Sequence, residues 1–192
     1  MPTQTVEERL AALRRYKILD TFPEQSFERL TRLVANIFGT PIALISLLDE
    51  ERQWFKSHYG LDATETPMDV SFCKHAIEGD EVFTILDATK DDRFAENGLV
   101  TGDPGIRFYA GAPLRTPDGT KIGTLCVIDR MPRRSLRQSE KQILADVASV
   151  VVDEMELRLA LRRSQMLGGI AQPTLAIPIG PDDTRAQHEV EG

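Results

Sequence analysis

The chain has 192 residues, the size of one domain with modest extras, and enough to bury a core without a metal or disulfide staple. Hydrophobic residues make up 41% and charged residues 28%, a globular composition that excludes a fully disordered chain. A net charge of −7, from 23 Lys+Arg against 30 Asp+Glu, argues against nucleic acid and against an anionic membrane surface as partners.

No run approaches the ~20 apolar residues that span a bilayer, and the polar start Met1 to Glu8 has no signal-peptide character. The expected compartment is the cytoplasm. Two cysteines, Cys73 and Cys126, fit a reducing environment. With three histidines (His58, His75, His188) they form no CxxC or HExxH spacing, so no metal site is expected.

Thr5-Val6-Glu7-Glu8 fits a capping box that opens a first helix, with Val6, Leu10 and Leu13 at helical spacing. A second helix follows Asp20 to Glu24. Thr21 is its expected cap, Pro23 suits its first turn, and Phe27, Leu30, Val34, Ile37 and Phe38 line one face. Gly39 and Pro41 end it.

The continuous apolar run Pro41 to Asp49 reads as a strand buried on both faces. A polar turn, Asp49 to Arg52, joins it to a second strand over Gln53 to Tyr59, and the short connection makes the pair antiparallel. Residues 61–70 read as a loop and Ser71 to Ile77 as a short helix. Val82 to Leu86 is a third strand. Residues 88–105 are irregular, with a helical turn over Lys90 to Phe94.

Arg107 to Leu114 is a fourth strand. Gly111 marks a place where a neighbouring backbone comes close. The turn Thr116-Pro117-Asp118-Gly119-Thr120 hairpins this strand to a fifth, Lys121 to Asp129. After a basic connector bearing Arg130, Arg133, Arg134 and Arg137, a long helix runs from about Ser139 to about Met166. Ile143, Val147, Val151, Met155 and Leu159 share its buried face, with Leu144, Ala148 and Val152 beside them. Val150, Leu157 and Leu161 point elsewhere and suggest a partner helix. Residues 1–166 thus form one domain. Residues 167–192, rich in Gly and Pro and without periodicity, read as a flexible tail or linker.

Six phrases, in order, carry a resemblance: Tyr16 to Thr21, Pro41 to Leu47, Arg52 to Ser57, Ser71 to Ile77, Ile106 to Leu114 and Gly123 to Asp129. Together they closely resemble GAF domains, most nearly those in front of bacterial sensor histidine kinases and diguanylate cyclases. The likeness covers roughly residues 7–165. It implies an α+β fold: a PAS-related central antiparallel sheet of five or six strands, terminal helices on one face, and short helices and loops forming a small-molecule pocket on the other.

On that fold Ser71, Phe72, Cys73, His75, Arg93, Phe94, Arg107 and Tyr109 gather into a candidate ligand site, with polar side chains to orient a guest and aromatic ones to cover it. Alternation places Arg107 and Tyr109 on one face of their strand and Phe108 on the other. The bland alternative is that these residues simply fill a core. Both cysteines read by default as inert packing, with a redox role for Cys73 as the alternative.

Three ligand classes of the resembling family fit poorly. Bilin attachment places Cys directly before His, whereas here the order is Cys73-Lys74-His75, and no Asp-Ile-Pro motif is present. The Asn-Lys…Phe…Asp-Glu signature of cyclic-nucleotide binding is not reproduced by Asp92 to Asn97. Methionine sulfoxide reductases of this fold use a larger set of cysteines. No P-loop, GxGxxG or GxSxG is present either.

The expected function is therefore a non-enzymatic sensory module. It binds an unidentified small molecule, dimerises with a second copy through its N- and C-terminal helices, and acts on an output partner in trans or on a longer chain. No cofactor is named by the sequence. A GAF-fold thiol-dependent reductase and a ligandless dimerisation scaffold are the alternatives.

Overall fold

Alternation along the strands sorts the apolar side chains to two faces of one sheet. The structure, a computed structural model, describes residues 4–168. The expected tail lies almost wholly outside them. In chain order the elements are α1 (Val6–Tyr16), α2 (Gln25–Phe38), β1 (Ile42–Leu48), β2 (Arg52–Tyr59), β3 (Glu65–Pro67), α3 (Cys73–Ala76), β4 (Phe83–Ile85), a 3₁₀ turn (Ala88–Lys90), α4 (Gly98–Thr101), β5 (Phe108–Arg115), β6 (Lys121–Asp129) and α5 (Gln138–Gly168). The six strands form one antiparallel sheet in the order β3-β2-β1-β6-β5-β4.

The sheet is buried on both sides. Ala43, Ile45 and Leu47 of β1 pack with Leu13 of α1, Val34 of α2 and Leu144 and Met155 of α5. Ile42, Leu44 and Leu48 of the same strand face Phe72, Phe94 and Tyr109 on the other side. Helices from the two ends of the chain thus cover one face, and short helices and loops cover the other, the α+β arrangement the resemblance implied. Among the described residues no helix is long and apolar enough to cross a membrane.

The capping box of α1 forms as expected: Glu8 N donates to Thr5 Oγ1 (3.1 Å) and Thr5 N to Glu8 Oε2 (2.8 Å). At α2 the expectation fails. The cap residue is Glu24, without a side-chain cap, and Pro23 lies before the helix. Thr21 is engaged elsewhere, donating to Ile18 O (2.6 Å) and accepting from Lys56 Nζ (3.0 Å).

The buried face of α2 is Phe27, Thr31, Val34, Ala35 and Phe38, whereas Ile37 is exposed. The core stripe of α5 is likewise rotated from the expected one. It centres on Leu144, Ala148, Val151 and Met155, and Ile143 stands in solvent. Two short elements escape sequence patterning: β3, in the expected loop 61–70, and α4, whose first turn is capped by Asn97 Oδ1 on Leu99 N (2.9 Å).

Close backbone approach occurs at Gly123 rather than Gly111. A Cβ on Gly123 would stand 2.0 Å from the Ser46 carbonyl oxygen of β1, while Gly111 is crossed by the ring of Tyr109.

Candidate functional site

Between the sheet and α3 lies a cavity of about 110 Å³. Its floor is the outer face of the sheet: Ile42 and Leu44 of β1, Gln53 and Phe55 of β2, Tyr109 of β5, and Cys126 and Ile128 of β6. Phe72 and Cys73 form its roof. Two segments close the sides, the loop through Leu61 and Ala63, and α4 with the loop after it, through Leu99, Asp103 and Pro104. Ala63 and Asp103 are exposed, so the cavity reaches solvent between these loops. Its volume is several times the share of one water in the liquid, about 30 Å³, so a small guest fits.

The wall is mainly apolar with a few fixed polar groups, the usual composition of a small-molecule site. At one end Ser71 donates to Gln53 Oε1, and Gln53 Nε2 donates to Thr66 Oγ1 at 3.3 Å. This chain holds the Gln53 amide in one orientation. At the other end the Cys73 sulfur accepts from Tyr109 Oη (3.2 Å) and Thr124 Oγ1 (3.0 Å). Burial opposes a thiolate there, but the polar groups around the sulfur, Cys126, the donors Thr124 and Tyr109, and the nearby Ser46 hydroxyl, outweigh it and lower the Cys73 pKa to about 7. The Cys126 thiol goes the other way, raised by the neighbouring Cys73 sulfur and by burial. Burial and the neighbouring Cys73 likewise raise Tyr109.

Of the eight candidate residues, the structure brings Phe72, Cys73 and Tyr109 to the cavity wall. Ser71 and Phe94 stand directly behind it. Ser71 also accepts from Lys74 N (3.2 Å) at the start of α3, and Phe94 stacks on Phe72 with ring centroids 4.0 Å apart.

The other three lie away from the cavity. His75 sits on the far side of α3, against Phe83 and edge-on to Phe94, and burial lowers its pKa. Arg93 forks onto Asp91 (2.9 and 2.7 Å) and lies over Phe83 and Phe94. Arg107 donates to Val100 O (2.9 Å), bracing α4.

Gln53, Phe55, Leu61, Thr66 and Cys126 were missed. Strand alternation puts Gln53 and Phe55 on one face, but only the sheet shows that this is the cavity face and that Cys126, paired with Gly111, shares it with Tyr109. Among the described residues no group of three or more His, Cys, Asp and Glu could hold a metal ion.

The sequence matches the family model for the GAF domain over residues 23–154. The chain belongs to the GAF domain family. It is 47% identical over 135 residues to the cyclic di-GMP phosphodiesterase PA2567 of Pseudomonas aeruginosa, a match covering 70% of this chain and 23% of that protein. The chain thus spans about a quarter of that relative's length.

Among solved structures, a domain of a two-component sensor histidine kinase protein from Sinorhizobium meliloti superposes with a TM-score of 0.56 at 18% identity, covering 74% of this chain and 97% of that one. The free methionine-R-sulfoxide reductase of Neisseria meningitidis, solved with its substrate, gives 0.56 at 15% identity, covering 83% and 90%. At these identities the two structures speak for the fold alone. The chain is a GAF domain, a sensory regulatory module of the kind found in signalling proteins.

Proposed function

We propose that this GAF domain is a non-catalytic cytoplasmic sensor that binds a small, mainly apolar molecule in the cavity beneath α3 and signals through α1, α2 and α5. The observation that carries this reading is the cavity itself, roofed by Phe72 and Cys73 and closed at its sides by the segments through Leu61 and Leu99. The Ser71–Gln53–Thr66 chain supplies fixed polar contacts, and the Tyr109 and Cys73 end supplies a second anchor. From the candidate set, Phe72, Cys73 and Tyr109 contact the guest. Ser71 and Phe94 position them, and His75, Arg93 and Arg107 hold the surrounding shell.

Adjacent residues of β2 connect the cavity to the helices. Phe55 faces the cavity, while Lys56 points to the opposite face and donates to Phe22 O (2.9 Å) and Glu24 Oε1 (2.6 Å). Arg158 of α5 holds the same carboxylate at 2.8 Å. A guest that favours one position of β2 over another biases the grip on α5, and an output partner that binds the two states differently reads that bias.

On α5, Ile143, Val150 and Leu157 recur every seven residues, with Val147 and Leu161 beside them, and Val150, Leu157 and Leu161 are about half exposed. This seam suits a second copy of the chain in a coiled coil. The Pseudomonas relative is a cyclic di-GMP phosphodiesterase, which supports an output in bacterial second-messenger or phosphorelay signalling.

Native mass spectrometry with an absorption spectrum, on protein purified from its own host, tests the reading. A retained small molecule supports it, and its identity names the class. A protein that carries nothing and gains no thermal stability from any metabolite is a scaffold instead, because a ligand at about a hundred times its dissociation constant adds about 2.7 kcal/mol.

A thiol-dependent reductase is the second reading, favoured by the two sulfurs in the cavity wall. It requires turnover of free methionine sulfoxide with a thiol reductant, abolished by Cys73→Ser.

A further inference from the structure

Two cysteines distant in sequence meet at one end of the cavity, and the groups around them are arranged for a sulfur anion. Cys73 comes from the first turn of α3 and Cys126 from the centre of β6, and both line the cavity. Tyr109 Oη and Thr124 Oγ1 donate to the Cys73 sulfur at 3.2 and 3.0 Å. Ser46 faces Thr124 across the β1–β6 ladder, and its hydroxyl, fully buried, has no hydrogen-bond partner among the described residues. A buried hydroxyl left unpaired costs stability unless something else is gained. This one lies beside the same sulfur and gains a strong acceptor once the thiol is ionised.

Inert core cysteine needs none of these donors. Apolar packing alone would hold the thiol neutral and quiet. Here three hydroxyls and a second thiol surround one sulfur that a small molecule can reach through the cavity.

We infer that Cys73 and Cys126 form a peroxide-reading dithiol, in which Cys73 is oxidised first by a small hydroperoxide and Cys126 resolves it to a disulfide. The Cys73 thiolate attacks one peroxide oxygen. An S–O bond forms, the O–O bond breaks, and the leaving oxygen departs as hydroxide or alkoxide and takes up the proton the thiol released. The sulfur loses two electrons to the peroxide and becomes a sulfenic acid. The Cys126 sulfur then attacks the Cys73 sulfur. The S–S bond forms, the S–O bond breaks, and hydroxide leaves with the Cys126 proton as water. Two thiols and one hydroperoxide thus give one disulfide, one water and one water or alcohol.

The apolar wall favours an alkyl hydroperoxide over hydrogen peroxide, and the shared chemistry is the O–O bond. A bond between α3 and β6 would clamp the roof of the cavity to its floor, a covalent form of the switch proposed above. The inference goes beyond that reading, since it needs the cavity to admit a peroxide and not a metabolite.

The test uses the full reduced chain with hydrogen peroxide and, in parallel, tert-butyl hydroperoxide, followed by non-reducing intact mass spectrometry and peptide mapping. The expected product has lost two hydrogens and carries a Cys73–Cys126 linked peptide, formed faster with the alkyl peroxide. Cys126→Ala stops at one added oxygen on Cys73, trapped by dimedone, and Cys73→Ala leaves Cys126 unreacted. Tyr109→Phe and Thr124→Val retain both sulfurs and slow the first oxidation roughly tenfold each, as expected for losing one hydrogen bond to a charged group.

The inference is overturned if no linked peptide forms, if Cys126 oxidises first, or if the folded chain reacts no faster than the same chain in denaturant. It is also overturned if both hydroxyl variants oxidise at the wild-type rate. A protein inert to both peroxides that still retains a small molecule defeats this inference alone. One that forms the disulfide but never binds a metabolite defeats the sensory reading alone.

Discussion

Tyr109 lies across Gly111, its neighbour two positions along the same face of β5. A Cβ on Gly111 would stand 2.3 Å from the phenol oxygen and 2.8 Å from the ring carbon that bears it. The missing side chain is what lets the ring lean along the strand, so that its hydroxyl reaches the Cys73 sulfur at 3.2 Å.

Gly111→Ala therefore moves the Tyr109 hydroxyl off the sulfur while leaving both cysteines in place. In the native protein, burial disfavours the thiolate, the surrounding donors override it, and the Cys73 pKa sits at about 7. Alkylation by iodoacetamide should then rise through a midpoint near that value. In Gly111→Ala the midpoint moves up toward the ordinary thiol range near 8.5. The shift also fixes the sign of a stability change. An acid whose folded pKa is depressed stabilises the fold above its unfolded pKa and loses that contribution as pH falls through the folded value. Native protein should thus gain stability between about pH 7 and pH 8.5, and Gly111→Ala should gain less. Chemical denaturation at the two pH values measures it.

The cavity can be filled or enlarged from its own wall. Leu99 lines it from a half-buried position in the short helix α4, so Leu99→Phe intrudes on the open volume with little cost to the core. The variant should fold and lose any retained guest in native mass spectrometry. Phe55, almost fully buried in the floor, gives the opposite effect. Phe55→Ala should cost about 3–5 kcal/mol in urea unfolding, and part of that loss should return with a small apolar additive that occupies the enlarged space.

Much of the architecture was legible because it is written locally. The Asp49–Arg52 and Thr116–Thr120 turns carry their own chemistry, and such short connections make the flanking strands antiparallel neighbours. The edge strand Glu65–Pro67 carries no apolar alternation, and a Pro at its end is tolerated only because it is an edge. Its pairing comes from the partner strand, not from its own residues.

At the site, His75 follows Cys73 by two residues. Two residues along an α-helix is about 200° of rotation, so a Cys73 that faces the sheet turns His75 away from it. Arg93 was captured by Asp91, two residues back, before it could reach a pocket. Gln53 and Cys126 carried no compositional sign of a wall. Their place follows from which strands lie side by side, which only the folded sheet reveals.

The α5 seam makes a prediction that leaves the fold intact. Val150, Leu157 and Leu161 are about half exposed, and surface changes of this kind usually alter stability by about 0.5 kcal/mol or less. Light scattering at micromolar concentration should give the mass of two chains for the native protein. The double variant Leu157→Glu, Leu161→Glu should give one, with an unchanged far-ultraviolet spectrum. A native mass equal to one chain rejects the homodimer.

Glu24 ties three elements together, and its removal should be felt in all of them. Its carboxylate accepts from Lys56 Nζ of β2 at 2.6 Å and from Arg158 Nε of α5 at 2.8 Å. The side chain of Lys56 is entirely covered, whereas Glu24 keeps about a third of its side-chain surface in water. The pair is accordingly uneven. Partial burial works against the Glu24 carboxylate, but the two cations outweigh it and lower its pKa. Burial lowers the Lys56 pKa despite Glu24, so the ammonium bears the desolvation and depends on its partner.

Glu24→Gln strands that ammonium. The expected cost is about 2–4 kcal/mol, below that of a fully buried pair because water reaches Glu24. Lys56→Met, which removes the buried charge itself, should cost less than Glu24→Gln. Because the Glu24 pKa is depressed on folding, its contribution is present above the ordinary carboxylate range and fades as pH falls through the folded value. The stability gap between native protein and Glu24→Gln should therefore close on acidification below about pH 4. A gap that stays constant across that range would show that the carboxylate's charge is not what holds α5 to the sheet.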